Sequence, residues 1–320
     1  MLKVMFAGTP EAAVPSLLQL AGDKDHFQVV AVLTRPDAPQ GRGRKLTPSP
    51  VKKTALELGI PVMECDPKEP SFLSALKATG AQAGAVVAYG KILKEDVLSA
   101  LPLGWYNLHF SLLPQWRGAA PVQRSIWSGD TLTGATVFRL TKGMDTGPIL
   151  AQSTCEIGQH DTSGDLLSRL ADDGSLLLSA ALTAMEKGEI DPVSQPQGSY
   201  EVAKKISHED AHIRFDVPVF AVDRQIRACT PEPGAWCTLH AQTDIQEPFH
   251  VLKARSADSD DIKVPCDLKP GVLAVTKKHV WIGTATVPLE LEEVKAQGKK
   301  AMKAADWARG ARLDTEAYVD

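Results

Sequence analysis

The chain has 320 residues, of which 43% are hydrophobic, and a formal net charge of −4 at pH 7. This length favours two domains, the hydrophobic content excludes an intrinsically disordered chain, and the mild acidity excludes a generic polyanion-binding protein. No apolar run approaches the ~20 residues that a membrane-spanning helix needs, so we expect no membrane partner. The N-terminal sequence MLKVMFAGTP carries neither a secretory nor a transit signal, and we therefore expect a cytoplasmic protein.

The cysteines are odd in number and widely spaced, and no two of them form a C-x-x-C pair. Such a pair is what structural zinc and dithiol redox chemistry prefer. We therefore expect reduced, mostly buried thiols and no metal site. The five positions are Cys65, Cys155, Cys229, Cys237 and Cys266.

Positive charge is concentrated in two segments of the chain. Residues 35–53 hold six basic residues and one acidic residue, and residues 295–312 repeat that count. Either segment taken alone is typical of a solvated surface.

The first half of the chain alternates strand-like and helix-like segments. Strands are predicted at 2–7, 28–33, 60–63, 83–88, 104–108, 134–140 and 149–157, and helices around 13–20, from Pro50 to Gly59, at 94–100 and at 161–186. Repeated strand–helix–strand units predict an α/β fold, with a doubly wound, mostly parallel sheet. Binding groups are then expected at the carboxyl ends of the strands.

The amino-acid composition changes after residue 190. Residues 191–206 are rich in Pro, Gly, Ser and Gln, as is typical of a linker. Short β-like segments follow at 235–240, 249–254, 271–276, 279–283 and 289–294, with a helix at 218–228. We predict a catalytic domain over 1–190, a linker over 191–206, and over 207–320 a smaller β-barrel domain that resembles an oligonucleotide-binding (OB) fold.

The densest polar group of the first half follows the strand GWYNL. Asn107 and His109 alternate along an extended segment, so their side chains point to the same side. A parallel strand end is where such a sheet exposes reactive groups. A single strand-end His is nevertheless more often a hydrogen-bonded structural residue than a base, and the sequence pattern leaves both interpretations open.

A second polar group is the turn T-K-G-M-D-T-G-P, which has Asp145 at its tip. A Gly-x-Asp-x-Gly segment is by itself usually only a turn. If this loop folds over the end of the Asn107/His109 strand, His109 could shuttle a proton, Asp145 could support its cation, and Asn107 could donate to a developing oxyanion. No Gly-x-Ser-x-Gly elbow supplies a nucleophile, so these residues suit direct attack by a substrate's own nucleophile.

Long stretches of the chain resemble the methionyl-tRNA formyltransferase family. The most specific is NLHFSLLPQWRGAAPVQRSIWSGDTLTGAT at 107–136. The others are FAGTPEAAVPSL (6–17), GRGRKLTPSPVK (41–52), VVAYGKIL (86–93), GMDTGPIL (143–150), RQIRA (224–228), PGAW (233–236) and QGKKAM (297–302). The resemblance covers nearly the whole chain and implies a formyltransferase-type first domain and a barrel as the second.

The resemblance also implies a reaction: the formyl group of 10-formyltetrahydrofolate moves to the α-amine of methionyl-initiator tRNA, without a metal. The family's catalytic Asn, His and Asp fall on Asn107, His109 and Asp145. Its tetrahydrofolate-binding segment falls on Ser111, Leu112, Leu113 and Pro114. Contacts with tRNA are expected from Arg35, Arg42, Arg44 and Lys45 in a basic loop, and from Lys299 and Lys300. A monomer is expected.

Other functions would fit parts of the same sequence pattern. A sugar-nucleotide formyltransferase should lack both the GRGRK loop and the terminal GKK, and a formyl-tetrahydrofolate hydrolase would use the same three residues with water as acceptor. A non-catalytic RNA-binding protein with a decayed enzyme domain is disfavoured by the intact Asn107, His109 and Asp145. An NAD-dependent enzyme is disfavoured because the third glycine of the dinucleotide fingerprint is missing.

Overall fold

A computed structural model describes residues 1–40, 43–242, 245–257, 264–265, 267–314 and 316–320. The chain forms two compact units. The first consists of residues 1–121, 132–156 and 167–203, and the second of residues 122–131, 157–166 and 204–320. The domain limits given above stay a prediction.

The strands of the first unit are β1 Leu2–Gly8, β2 Phe27–Leu33, β3 Ala38–Gln40, β4 Lys45–Thr47, β5 Val62–Met63, β6 Ala83–Val87, β7 Trp105–His109, β8 Arg117–Gly118, β9 Leu132–Arg139, β10 Ile149–Glu156 and β11 Val202–Ala203. Its main sheet has the order β10-β9-β7-β6-β1-β2-β5. The run from β7 to β5 is parallel, whereas β9 and β10 are antiparallel to their neighbours. The mostly parallel, doubly wound sheet is confirmed.

The helices up to residue 186 are α1 Val14–Gly22, α2 Pro50–Glu57, α3 Pro70–Ala78, α4 Glu95–Leu98, α5 Pro121–Ser128 and α6 Ser163–Glu186. Strands β1 and β6 are apolar almost without interruption because they are buried on both faces. A core that includes Met5, Leu33, Phe72, Val86 and Trp105 fixes the sheet against its helices.

Several local predictions were wrong. Helix α3 and the β3–β4 hairpin were missed, and the helix predicted at 94–100 is only the single turn α4. The hairpin is short and most of its described residues are exposed, so it has no buried face to create a strand pattern. In α1 the buried face is not purely apolar, since Leu18 is 48% exposed whereas Ser16 is buried.

The second unit contains β12 Trp236–Gln242, β13 Ile245–Ser256, β14 Leu273–Val275, β15 Val280–Ile282, β16 Leu289–Ala296, β17 Met302–Lys303 and β18 Tyr318–Val319, with helices α7 Val219–Cys229 and α8 Ala304–Gly310. Its antiparallel sheet runs in the order β14-β15-β16-β13-β12-β18. A bridge between Val272 and Tyr318 joins the first strand of this order to the last. The predicted antiparallel barrel is confirmed, although α8 was missed.

Four of the cysteines are free thiols: Cys229 and Cys237 are buried, Cys65 and Cys155 are half-buried, and Cys266 lies outside the described residues. In the described part of the chain, no cluster of three or more His, Cys, Asp or Glu side chains is arranged to hold a metal ion. None of the described helices combines the length and apolarity needed to cross a membrane.

Helix α2 begins at a side-chain cap formed by Ser49. The Ser49 hydroxyl accepts a hydrogen bond from Lys52 N at 3.1 Å and lies 2.7 Å from the buried Thr34 hydroxyl. Pro50 occupies the first turn, and Gly59, with φ +68°, follows the end of the helix. Ser49 therefore serves both the helix end and the end of β2.

We expect Ser49→Ala to lower the free energy of unfolding by about 2 kcal/mol, because it removes a helix cap and leaves the Thr34 hydroxyl buried without its partner. Urea denaturation followed by circular dichroism measures the loss. Ser71→Ala, at an exposed serine in the first turn of α3 that makes no cap hydrogen bond, is the matched control and should cost less than ~0.5 kcal/mol. Equal effects of the two substitutions would contradict this role of Ser49.

Candidate active site

The site lies at the carboxyl end of β7, between two partner strands. Asn107 pairs with Val86 of β6 on one side and with Phe138 of β9 on the other, so the backbone at this point is fixed within the sheet. Its side chain is half-buried, and within the described part of the chain no protein group forms a hydrogen bond with it. The Asn107 amide can therefore donate to a substrate oxygen without first breaking a protein contact.

His109 is almost fully buried, with 6% of its surface exposed. Its Nε2 lies 2.9 Å from the carbonyl oxygen of Trp116. A carbonyl can only accept, so Nε2 carries a proton, and in the neutral ring Nδ1 holds the free lone pair. That Nδ1 faces the Asp145 carboxylate, at 3.8 Å from Oδ2. The arrangement fixes which nitrogen of His109 can act as a base.

Burial lowers the pKa of His109 below its usual value, and this outweighs the opposing influence of the Asp145 charge and of the hydrogen bond to Trp116. The ring is therefore neutral near pH 7 and ready to accept a proton. A histidine whose pKa is depressed by folding contributes stability above its unfolded pKa, and that contribution is lost as the pH falls through the unfolded and then the folded value.

Asp145 occupies the turn between β9 and β10 with φ +51°, a left-handed conformation that short polar residues tolerate. Its Oδ2 accepts a hydrogen bond of 2.9 Å from the backbone N of Gly118. Gly147 on the same turn packs so closely that a Cβ there would lie 1.7 Å from the Arg139 carbonyl oxygen. The folded loop thus brings Asp145 to His109, as the sequence predicted conditionally.

The predicted folate segment continues directly from the strand. Ser111 and Leu113 are buried, Leu112 and Pro114 are half-buried, and the Leu113–Pro114 peptide is cis. Two residues that the sequence analysis missed hold this segment. The Thr136 hydroxyl donates to Ser111 O at 2.6 Å and accepts from Leu113 N at 3.1 Å.

Gln152 of β10 completes the support of this segment. Its Nε2 donates to Leu113 O and to the Thr136 hydroxyl, both at 2.9 Å. Gln195, also missed by the sequence analysis, donates to the backbone of the Asp145 loop. These partners lie far from Leu113 and Asp145 along the chain, and no local motif signals them.

The basic residues predicted to contact tRNA lie on both units. In the first unit Arg35, Arg44 and Lys45 are exposed near the β3–β4 hairpin, whereas Arg42 lies outside the described residues. Lys299 and Lys300 are exposed in the second unit. The nearby Lys52 is bound to Asp37 and Glu64, so its charge is engaged within the protein.

We expect Asp145→Asn to lower the pKa of His109 further, because the substitution removes the negative charge that opposes the effect of burial while keeping the shape of the side chain. NMR of the imidazole C–H signals as a function of pH measures the change. Asp173→Asn, at an exposed carboxylate on α6, is the control and should leave the His109 titration unaltered. An unchanged or raised pKa in the Asp145 variant would show that the 3.8 Å approach carries no electrostatic coupling.

Comparison with known proteins shows the family of the chain. Residues 2–182 match the family described as Formyl transferase, and residues 205–312 match Formyl transferase, C-terminal domain. The chain is 70% identical to the methionyl-tRNA formyltransferase of Bifidobacterium adolescentis over 98% of both proteins, and 66% identical to that of Bifidobacterium animalis subsp. lactis over 100% of both.

A crystal structure of an N-formyltransferase from Helicobacter canadensis, in complex with folinic acid and dTDP-3-aminofucose, shares the fold. Its TM-score is 0.64 at 18% identity, over 91% of this chain and 98% of that one. At 18% identity this likeness concerns the fold alone, whereas the high identity over the full length is to enzymes named methionyl-tRNA formyltransferase. The chain belongs to the methionyl-tRNA formyltransferase family.

Proposed function

We propose that this protein transfers the formyl group of 10-formyltetrahydrofolate to the α-amine of methionyl-initiator tRNA and so produces N-formylmethionyl-tRNA. The observation that carries the proposal is the buried pair at the end of β7. There a neutral His109 turns its free Nδ1 toward the Asp145 carboxylate, two residues along the strand from an uncommitted Asn107 amide. A proton acceptor and an oxyanion donor on one strand suit acyl transfer to an amine.

The reaction forms a bond between the substrate nitrogen and the formyl carbon and breaks the bond between that carbon and the folate nitrogen. As the amine attacks, the formyl oxygen becomes negative and the nitrogen becomes acidic. Asn107 donates its amide hydrogen to that oxygen, which stabilises the developing charge. His109 Nδ1 takes the proton from the attacking nitrogen and can return it to the departing folate nitrogen.

Asp145 has a supporting role in this scheme. When His109 accepts a proton, its ring becomes a buried cation, which burial alone strongly disfavours. A carboxylate that lies 3.8 Å from Nδ1 offsets part of that cost. The hydrogen bond from Gly118 N holds the Asp145 carboxylate in place. No step of this scheme calls for a metal.

The folate donor is assigned to Ser111, Leu112, Leu113 and Pro114. What supports the assignment is position and rigidity. The segment follows the catalytic strand directly, and Thr136 and Gln152 fix its backbone by three hydrogen bonds. A fourth hydrogen bond joins the two supporting side chains to each other. A fixed backbone that presents peptide groups and partly exposed apolar side chains suits a flat heterocycle with hydrogen-bonding edges.

The tRNA acceptor is assigned to Arg35, Arg42, Arg44 and Lys45 together with Lys299 and Lys300. Exposed basic side chains can bind RNA phosphates even though the protein as a whole is mildly acidic. We further predict that the enzyme is cytoplasmic and monomeric.

We expect His109→Ala to lower kcat for formyl transfer by roughly 10²-fold or more, since it removes the proton acceptor. The assay follows formyl-methionine formed from 10-formyltetrahydrofolate and charged initiator tRNA. His160→Ala, at an exposed histidine, is the control and should retain wild-type activity. Product on a sugar amine or release of formate in place of formyl-methionine would refute the proposed acceptor, and an active His109→Ala variant would refute the proposed base.

We expect Lys299→Ala to weaken tRNA binding at low salt and to reduce the slope of log K against log salt concentration by about one, because one phosphate contact is lost. Binding of initiator tRNA over a range of salt concentrations measures both quantities. Lys77→Ala, at an exposed lysine outside the two basic segments, should change neither. Parallel behaviour of the two variants would remove Lys299 from the tRNA surface.

A further inference from the structure

We infer that Gln195 is a positioning residue for the reaction: its carboxamide joins the Asp145 loop to Arg117 and thereby holds the Asp145 carboxylate beside His109. The inference rests on the proposed function, because it assigns Gln195 a part in the proton transfer proposed for His109 and Asp145. Gln195 lies between α6 and β11, and sequence analysis placed it in a linker without any role.

Both ends of the Gln195 carboxamide form hydrogen bonds with partners of the correct type. Nε2 donates to the carbonyl oxygens of Asp145 and Gly147, each at 2.8 Å, and so uses both of its hydrogens. Oε1 accepts from the Arg117 guanidinium, with a distance of 3.0 Å to Nε. Carbonyls only accept and guanidinium only donates, so the amide cannot be turned over without losing all of these bonds.

These contacts close a ring around Asp145. Gln195 binds the backbone of the loop at Asp145, the Asp145 carboxylate accepts from Gly118 N, and Gly118 is bonded covalently to Arg117, which returns to Gln195. Gly118 is itself held in β8, which pairs with β11 only a few residues after Gln195. The two ends of the Asp145–Gly118 hydrogen bond are thus fixed by the same amide.

These hydrogen bonds from Gln195, here called the clamp, matter because the tip of the Asp145 loop has little apolar packing. Residues 141–144 are exposed, and the Met144 side chain beside Asp145 is 65% exposed. Asp145 adopts φ +51°, a conformation that aspartate tolerates better than most residues but at a higher free energy than glycine. Two hydrogen bonds to the carbonyls on either side of Thr146 hold that conformation in place of packing.

The electrostatic effect of Asp145 on His109 depends on the short distance between the two side chains. At 3.8 Å the carboxylate still raises the pKa of His109 against the effect of burial. Coulomb interaction weakens as the separation grows and as water enters between the charges. A loop released by loss of Gln195 would therefore leave the protonated form of His109 without its counter-charge.

Two substitutions separate the parts of the clamp. Gln195→Met keeps the length of the side chain and removes every hydrogen bond. Gln195→Glu keeps an acceptor for Arg117 but replaces the two donated hydrogens by a carboxylate that repels the loop carbonyls. We expect each to lower kcat by roughly 10–100-fold, the scale of a misplaced catalytic group, with KM for both substrates within about twofold of wild type.

Gln197→Ala is the matched control, since this second glutamine is exposed and lies two positions along the same segment. We expect it to leave kcat unchanged. Combining Gln195→Met with Asp145→Asn should cost less than about twofold beyond Asp145→Asn alone, because both changes remove the same contribution. Wild-type kcat in the Gln195→Glu variant, or fully multiplicative losses in the double variant, would overturn the inference.

A readout that needs no substrate keeps this inference separate from the proposed function. In folded Gln195→Met protein, NMR titration should give a lower pKa for His109 than in wild type, with the same direction as Asp145→Asn. An unchanged His109 titration would overturn the positioning role. If wild type formed no formyl-methionyl-tRNA, the proposed function would fail, and the titration would still decide whether Gln195 holds Asp145.

Discussion

The site depends on one hydrogen bond, from Nε2 of His109 to the carbonyl oxygen of Trp116. It places the proton on Nε2 and leaves the lone pair on Nδ1, so a backbone atom decides which nitrogen can serve as the proposed base. That carbonyl is in place because the chain turns back after β7. The Ser111 hydroxyl closes this turn by donating to Gln115 O at 2.7 Å, and Trp116 adopts φ +60°. The same turn contains the segment proposed to bind folate, so one stretch of backbone carries both the proposed base and the proposed donor site.

Much of this architecture could be predicted because short stretches of sequence determine it. The buried parallel strands are apolar runs, α2 begins at Ser49-Pro50, and the barrel strands are separated by turn residues. Asn107 and His109 point to the same side of β7 because side chains alternate along a strand. The approach of Asp145 could be stated only as a condition, since whether a turn folds over a strand end depends on contacts that a local pattern does not contain.

The residues that the sequence did not reveal share one property: they act across long separations. Gln195 binds carbonyls 50 and 48 positions earlier in the chain, and Gln152 binds a carbonyl 39 positions earlier. Gln195 lies in a segment rich in proline, glycine and serine, and this composition predicts a linker regardless of what the side chain binds. Helix α3 was missed for a different reason: its first turn, Pro70-Ser71, follows a segment of charged and turn-forming residues. Propensity describes a residue's own backbone and carries no information on remote partners.

A base in this position requires a compromise between two electrostatic effects. Burial lowers the pKa of His109 and so keeps the ring neutral, but burial alone would also make its protonated form too unstable to serve as an intermediate state. A carboxylate in direct contact would do the opposite, since it would hold the ring protonated and remove the free lone pair. The 3.8 Å separation lies between these limits. Hydrogen bonds from Gln195 and from Gly118 N hold the Asp145 loop, since the exposed residues 141–144 give the loop tip little apolar packing.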